Sequence, residues 1–342
     1  MKKALLSFFV LFLFFSPIGV SAQQPSLDSD VGEEKHEAMV TKIIEEKDIE
    51  VSFGVKQPYQ KVEAEVTTGS LAGKKVTVEQ GGMVVSNENQ RMKVEDNIIL
   101  SHVKKIDGRD QFLFIDFIRR KQLLILVAVF IGAVILIGRL RGISSILGLV
   151  ISFIILLKYI IPRIVAGDNP VFVAITGSFI ILLSTLYLAH GFSRKTTAAV
   201  LGTTLSLIIT GILALVFVNL TRLSGFGSED ASMLSMFPNV NINLQGILLA
   251  GIIIGALGVL DDITISQSAC VFELSSANKN FDFSELYKRG LRIGQDHIAS
   301  LVNTLVLAYA GASLPLLLLF AISGAEPMSL LLNREMIANE VV

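Results

Sequence analysis

The chain of 342 residues has one cysteine, Cys270. No intrachain disulfide can form, and without a CxxC pair or a Cys/His ligand spacing neither thiol redox chemistry nor a finger-type structural zinc is expected. Charge is scarce too: Asp, Glu, Lys and Arg make up 17% of the residues and sum to a net −1. No basic face of the density that nucleic acid requires is present, which sets that partner class aside. The hydrolase signatures GxSxG and HExxH are missing, as are the GxGD context of intramembrane aspartic proteases and the DDxxD of prenyl-diphosphate enzymes.

What the chain does have is apolar residues, 52% of the total, with a mean hydropathy of +0.64. That is outside the range of soluble domains and predicts a membrane protein whose first partner is the lipid bilayer. Residues 1–22 read as an export signal: Lys2 and Lys3 precede an apolar run from Ala4 to Phe15, and Val20-Ser21-Ala22 offers a small-residue cleavage site.

Residues 23–122 are polar and strand-like. "KVEAEV" and "KKVTVEQ" alternate with period two and are joined through Gly69 and Gly73. Other short strands are expected over Met39–Ile44, Ile49–Val55, Ile98–Val103 and Phe112–Phe117, the last after an Asp107-Gly108 turn. The segment predicts a small extracytoplasmic all-β barrel of the OB or SH3-like kind. It shows no His/Asp/Ser or metal constellation and reads as a docking or lid module.

Residues 123–323 predict an α-helical polytopic membrane bundle of six spans: Leu123–Gly138, Ile143–Ile161, Val171–Ala189, Thr196–Leu220, Leu244–Leu260 and Ile298–Ser323. Runs this continuous exclude a membrane barrel. With the barrel exported, Arg139, Arg141, Arg194, Lys195, Lys279, Lys288, Arg289 and Arg292 fall on the cytoplasmic side, as the positive-inside rule prefers; Arg119, Arg120, Lys121, Arg163 and Arg222 run against it. Residues 324–342 read as an extracytoplasmic tail leading to a seventh span beyond Val342.

Between Ile242 and Phe272 the only formal charges are Asp261 and Asp262. A charged side chain at the bilayer centre costs roughly 2.5 to 3.5 kcal/mol even on lenient scales. A helix over this run is about 46 Å long, more than a hydrocarbon core accommodates, so part of it leaves the lipid or the acids face protein. Gly251, Gly255, Gly258, Asp262 and Ser266 recur at steps of three or four and predict a packing edge with Asp262 in it; Asp261 lies on another row with Thr264 and Ser268. Gly202 lies in a second small-residue seam, Ala198 to Ala214. Asp296, His297 and Asn303 open the sixth run on the same side as the acidic pair. Asp261, Asp262, Asp296, His297 and Asn303 are therefore the candidate ion or proton site, and the helix-packing glycines are Gly202, Gly251, Gly255 and Gly258. The alternative is that Asp296 and His297 merely start a helix while the aspartates bond loop groups. No cofactor is expected, although three carboxylates and an imidazole suit a hard divalent cation or a proton relay.

"GALGVLDDITISQSACVFEL", "GRLRG", "HGFSRKTTAAVLGT", "GQDHIASLVNTLVLAYAGASLPLLLLF" and "NREMIANEVV" together resemble the YibE/F-like family of bacterial multi-pass membrane proteins. The resemblance runs from about Arg119 to the end, with the barrel-like segment in addition. It implies a permease-like protein of the bacterial cell membrane, and a further hydrophobic segment after "NREMIA". Three functions follow from the residues. The first is a transporter for a small solute or ion. The second is an envelope scaffold whose barrel binds a partner, with a companion membrane subunit or homo-oligomer. The third is a membrane-embedded hydrolase using Asp262 with Asp296.

Overall fold

The structure, a computed structural model, describes residues 34–51, 55–81, 88–104, 110–236, 242–323, 328–331 and 333–341. The expected export signal and the Asp107-Gly108 turn lie outside the described residues. The chain divides into two compact units, 26–130 and, apart from residues 1–25, 131–342.

The first unit is the expected barrel. Strands β1 (Glu34–Val51), β2 (Val55–Val66), β3 (Lys75–Gln80), β4 (Asn97–Lys104) and β5 (Asp110–Phe117) close in the order β1-β2-β3-β5-β4. All pairings are antiparallel except β3 with β5, where Val78 and Glu79 face Phe112 and Leu113 in parallel. Period-two alternation sends Ala38, Val40, Val62, Ala64, Val66, Val76, Val78, Ile98, Leu100 and Phe112 inward, and Met92 plugs the same core. Two expected strands prove to be one: β1 runs through both Met39–Ile44 and the Ile49 stretch. Register shifts at Val40/Lys42 and Ile43/Glu45 bend it enough to pair with β2 from Ala38 to Val51 and with β4 from Glu34 to Met39.

Gln60 is an inward polar residue, 2% exposed. Its Nε2 donates to the Met92 carbonyl at 3.2 Å and its Oε1 accepts from the Met92 N–H at 2.6 Å, so one amide side chain satisfies both backbone groups of a buried residue.

The second unit is helical. Among the described residues four stretches are long and apolar enough to cross a membrane, against the six expected: 120–165, Pro170–His190, Arg194–Leu220 and Leu244–Ala277. The first two expected spans fall in one stretch, α1 (Arg120–Ile155), a π-helical turn (Leu156–Ile160) and α2 (Ile161–Val165). No loop separates them. A single residue, Arg139, leaves helical geometry at φ 49° and ψ −128°. A Cβ on Gly142 would lie 2.3 Å from the Val134 carbonyl oxygen, although eight residues span about 12 Å of straight helix, so the two halves fold back on each other there. The π turn precedes Pro162, whose missing N–H interrupts the ladder.

Then come α3 (Pro170–His190), α4 (Arg194–Leu220), α5 (Glu229–Ser235), α6 (Leu244–Ala277), α7 (Phe283–Ala312), α8 (Leu314–Ser323), α9 (Met328–Leu331) and α10 (Glu335–Val341). Asn169, Ser193, Asn243 and Asp282 cap α3, α4, α6 and α7 with side-chain oxygens on free backbone N–H groups. The expected sixth span is divided at Ser313, which takes φ −93° and ψ 13°. Pro315, in the first turn of α8, cannot donate to Gly311 and its ring would meet that carbonyl, which ends α7. Helix α6 packs against α3 and α4 around Ala174, Leu182, Leu186, Ala199, Val200, Leu207, Ala250, Ile253 and Leu257.

The tail is fastened by one carboxylate. Glu335 accepts from the backbone N–H groups of Ser224 (2.8 Å), Gly225 (2.7 Å) and Phe226 (3.2 Å), and from the Ser224 hydroxyl. Burial works to raise its pKa, but these donors together hold it below the ordinary glutamate value.

Two outcomes are expected. Gln60→Leu leaves the Met92 N–H and C=O buried without partners and destabilises the barrel by about 2 kcal/mol, read from the urea midpoint of its unfolding. Because Glu335 is depressed in the folded state, its contribution is present above the unfolded value of 4.5 and is lost as pH falls through the lower folded value. Amide exchange at residues 224–226 and 335–341 therefore quickens selectively as pH falls below 4.5, and Glu335→Gln shows the quickened pattern already at neutral pH.

Candidate functional site

The two aspartates of α6 part company. Its packed rows run through Ile253 and Leu257, and one turn on from Leu257 the same face reaches Asp261. This side chain is half-buried, and its Oδ1 is buried without a hydrogen-bond partner. Three residues later the Thr264 hydroxyl donates to the Asp261 carbonyl at 3.2 Å and bonds the hydroxyl of Thr203, which is fully buried on α4. Ser268 donates to the Lys195 carbonyl at 2.8 Å. Asp261, Thr264 and Ser268 thus form the row that faces α4, a polar seam inside an apolar helix pair.

Asp262 is exposed, and so are Gly251, Gly255, Gly258 and Ser266 on its row. A Cβ built at any of these three glycines would meet nothing within 4 Å. The expected packing edge is thus the open edge, because Ile253 and Leu257 carry the apolar bulk and take the neighbours. Gly202 of α4 does sit in a helix contact: a Cβ built on it would lie 3.8 Å from the Thr264 methyl, at ordinary van der Waals distance.

Helix α7 meets the far end of α6. Gln267 Nε2 donates to the Gly290 carbonyl at 2.7 Å, and Gly290 and Gly294 lie under the Val271 and Gln267 side chains. His297 lines a groove of about 260 Å³ with Ser266, Gln267 and Cys270. Asp296, His297 and Asn303 are all exposed. Among the described residues no hydrogen bond or ion pair joins Asp261, Asp262, Asp296, His297 and Asn303 to one another. The structure brings His297 beside the Asp262 row through Ser266 and does not gather the five groups. Asp262 and Asp296 share no hydrogen bond of the kind an aspartic dyad needs.

A second constellation lies in the barrel. Glu34 and His36 on β1 and His102 on β4 each offer a ligand atom, all within 4.8 Å of one another. In the β1–β4 register Glu34 faces His102 and His36 faces Leu100, so the two histidines are diagonal neighbours on the inner face. They are 4% and 7% exposed. His36 Nδ1 lies 3.2 Å from the Thr68 carbonyl and His102 Nε2 lies 2.9 Å from an Asp110 carboxylate oxygen. The His102 ring stacks on Phe112 at 4.8 Å. The hydrogen bond from His102 is the leading cause that holds the Asp110 carboxyl below the usual range.

The sequence model of one family, described as YibE/F-like protein, matches residues 126–342. The chain belongs to the YibE/F-like family. No curated protein and no solved structure matches it. The YibE/F-like match takes in the α4–α6 seam, the groove beside His297 and the Glu335 tail; the barrel, expected to share the resemblance, lies outside the matched residues.

Sequence reading passed over the barrel histidines because His36 and His102 have no ligand spacing in the chain; only strand pairing joins them. Two cues were available: they are two of four histidines, and each sits at an inward position of an alternating strand. The inward aspartate was misplaced for a different reason. Small residues mark where helices can approach, and the bundle used the branched apolar row instead.

A double-mutant cycle with Thr203→Val and Thr264→Val should give a favourable coupling of about 0.6 kcal/mol, under about 2, measured as the shift in detergent-induced unfolding free energy.

Proposed function

We infer that this YibE/F-like membrane protein is permease-like and passes a proton or small cation along the α4–α6 seam, with Asp261 as its titrating carboxylate. The observation that carries this reading is the Asp261 Oδ1 atom, buried without a partner in a helix long and apolar enough to span a membrane. A carboxylate oxygen so placed is stabilised only by a proton or a cation, and the Thr203, Thr264 and Ser268 hydroxyls supply the polar lining that either needs. Extracytoplasmic placement of the barrel and residence in a bacterial cell membrane belong to this reading.

A second reading is an envelope scaffold. The separate compactness of the barrel unit and the open edge at Gly251, Gly255 and Gly258, small residues of the kind that let a companion helix or a second copy approach, favour it.

Proton and cation flux in proteoliposomes separates the two. A permease gives flux that Asp261→Asn abolishes and Asp262→Asn largely keeps. Equal flux from the wild type and Asp261→Asn removes the seam from the mechanism, and no flux from any of the three supports the scaffold.

A further inference from the structure

We propose that the barrel carries a site for a divalent transition ion of the zinc class, ligated by His36 Nε2, His102 Nδ1 and the Glu34 carboxylate, a site independent of the transport reading. Three observations lead there. First, each histidine has one ring nitrogen committed. A carbonyl oxygen cannot donate, so the Nδ1 that contacts Thr68 carries the proton, and the carboxylate of Asp110 likewise fixes the proton of His102 on Nε2. A neutral imidazole then leaves His36 Nε2 and His102 Nδ1 as lone-pair donors. Second, those same two atoms are buried and have no hydrogen-bond partner. A buried imidazole nitrogen without a partner is costly, yet here two occur on neighbouring residues of one inner face. Third, Glu34 Oε2 lies 3.3 Å from His36 Nε2, outside hydrogen-bond geometry but at the separation that two ligands of one ion keep. Tetrahedral zinc with bonds near 2.1 Å sets its ligand atoms about 3.4 Å apart.

The surroundings are those of a histidine metal site. Metal-bound histidines hand their second ring proton to a carboxylate or a backbone carbonyl, which orients the ring. Here Asp110 and the Thr68 carbonyl occupy those places, and the Phe112 ring holds His102 from the side. The turn over His36 requires glycine: Gly69 has φ +81°, and a Cβ there would stand 2.7 Å from His36 Nδ1. Two imidazoles and a carboxylate select zinc-class ions over magnesium or calcium, which prefer oxygen ligands alone. Three protein ligands leave a fourth position open to water, as in reactive rather than purely structural zinc sites. Glu34 also accepts from Ser70 Oγ at 3.4 Å, a long contact that the ion replaces without stranding a buried group, since Glu34 is exposed.

The test uses the full chain without a polyhistidine tag, stripped with chelator in detergent and titrated with zinc. One equivalent per chain is expected. His36→Gln and His102→Gln each lose it, Asp110→Asn weakens it about 10- to 100-fold, and the pair His190→Gln with His297→Gln keeps it. Cobalt(II) bound to the wild type should show the visible bands of a four-coordinate nitrogen and oxygen site with no thiolate charge-transfer band, a readout that needs no variant. The proposal is overturned if the stripped wild type takes up no zinc, if the His36→Gln, His102→Gln double variant binds as tightly as wild type, or if the cobalt spectrum reports Cys270 ligation.

Discussion

Adjacent residues on a regular helix stand about 100° apart, so the two aspartates of α6 cannot share one environment. An ionised carboxylate in a medium without water is stabilised only by what the protein sets beside it. Much of the helical unit follows from how that demand is divided. Asp262 goes to the open side of α6, where Gly251, Gly255 and Gly258 offer no cover. Asp261 goes between α6 and α4, where Thr264, Thr203 and Ser268 make the seam polar. The branched residues Ile253 and Leu257 decide which aspartate goes where, because their bulk must be buried and they share the Asp261 side of the helix.

The barrel meets the same demand by strand register rather than helical phase. Inward positions of β1 and β4 are apolar over Ala38, Val40, Ile98 and Leu100, then become polar at His36 and His102 at one end, with the exposed Glu34 at the rim. A register slip by one residue would put Lys35 inward in place of His36 and Ser101 or Val103 in place of His102. The pairing that builds the core therefore also sets the histidine pair, and Asp110 and Thr68 complete it from β5 and the β2–β3 turn.

The chain made the architecture legible where the physics is periodic. Alternation in "KKVTVEQ" marked β3 to within a residue and "KVEAEV" the second half of β2, and the long apolar runs marked α3, α4 and α6. Boundaries that depend on a single residue were not legible in advance. The "GRLRG" turn is a one-residue break at Arg139 rather than a loop, and Pro315 divides a run whose hydropathy alone reads as one span. Tertiary pairing was least legible of all. No local spacing announces that residues 36 and 102, or Glu335 and the backbone of 224–226, will meet.

The parallel contact between β3 and β5 sets an order on biogenesis. A chain emerging from its N-terminus can zip β1 to β2 and β2 to β3 early, yet β3 keeps a bare edge until Phe112 and Leu113 arrive to cover Val78 and Glu79. Those residues are followed within eleven positions by the apolar run of α1 that begins at Leu123. The barrel therefore closes only with the stretch of chain that leads directly into α1, and a chain that stops short of Phe112 leaves β3 with an unpaired edge.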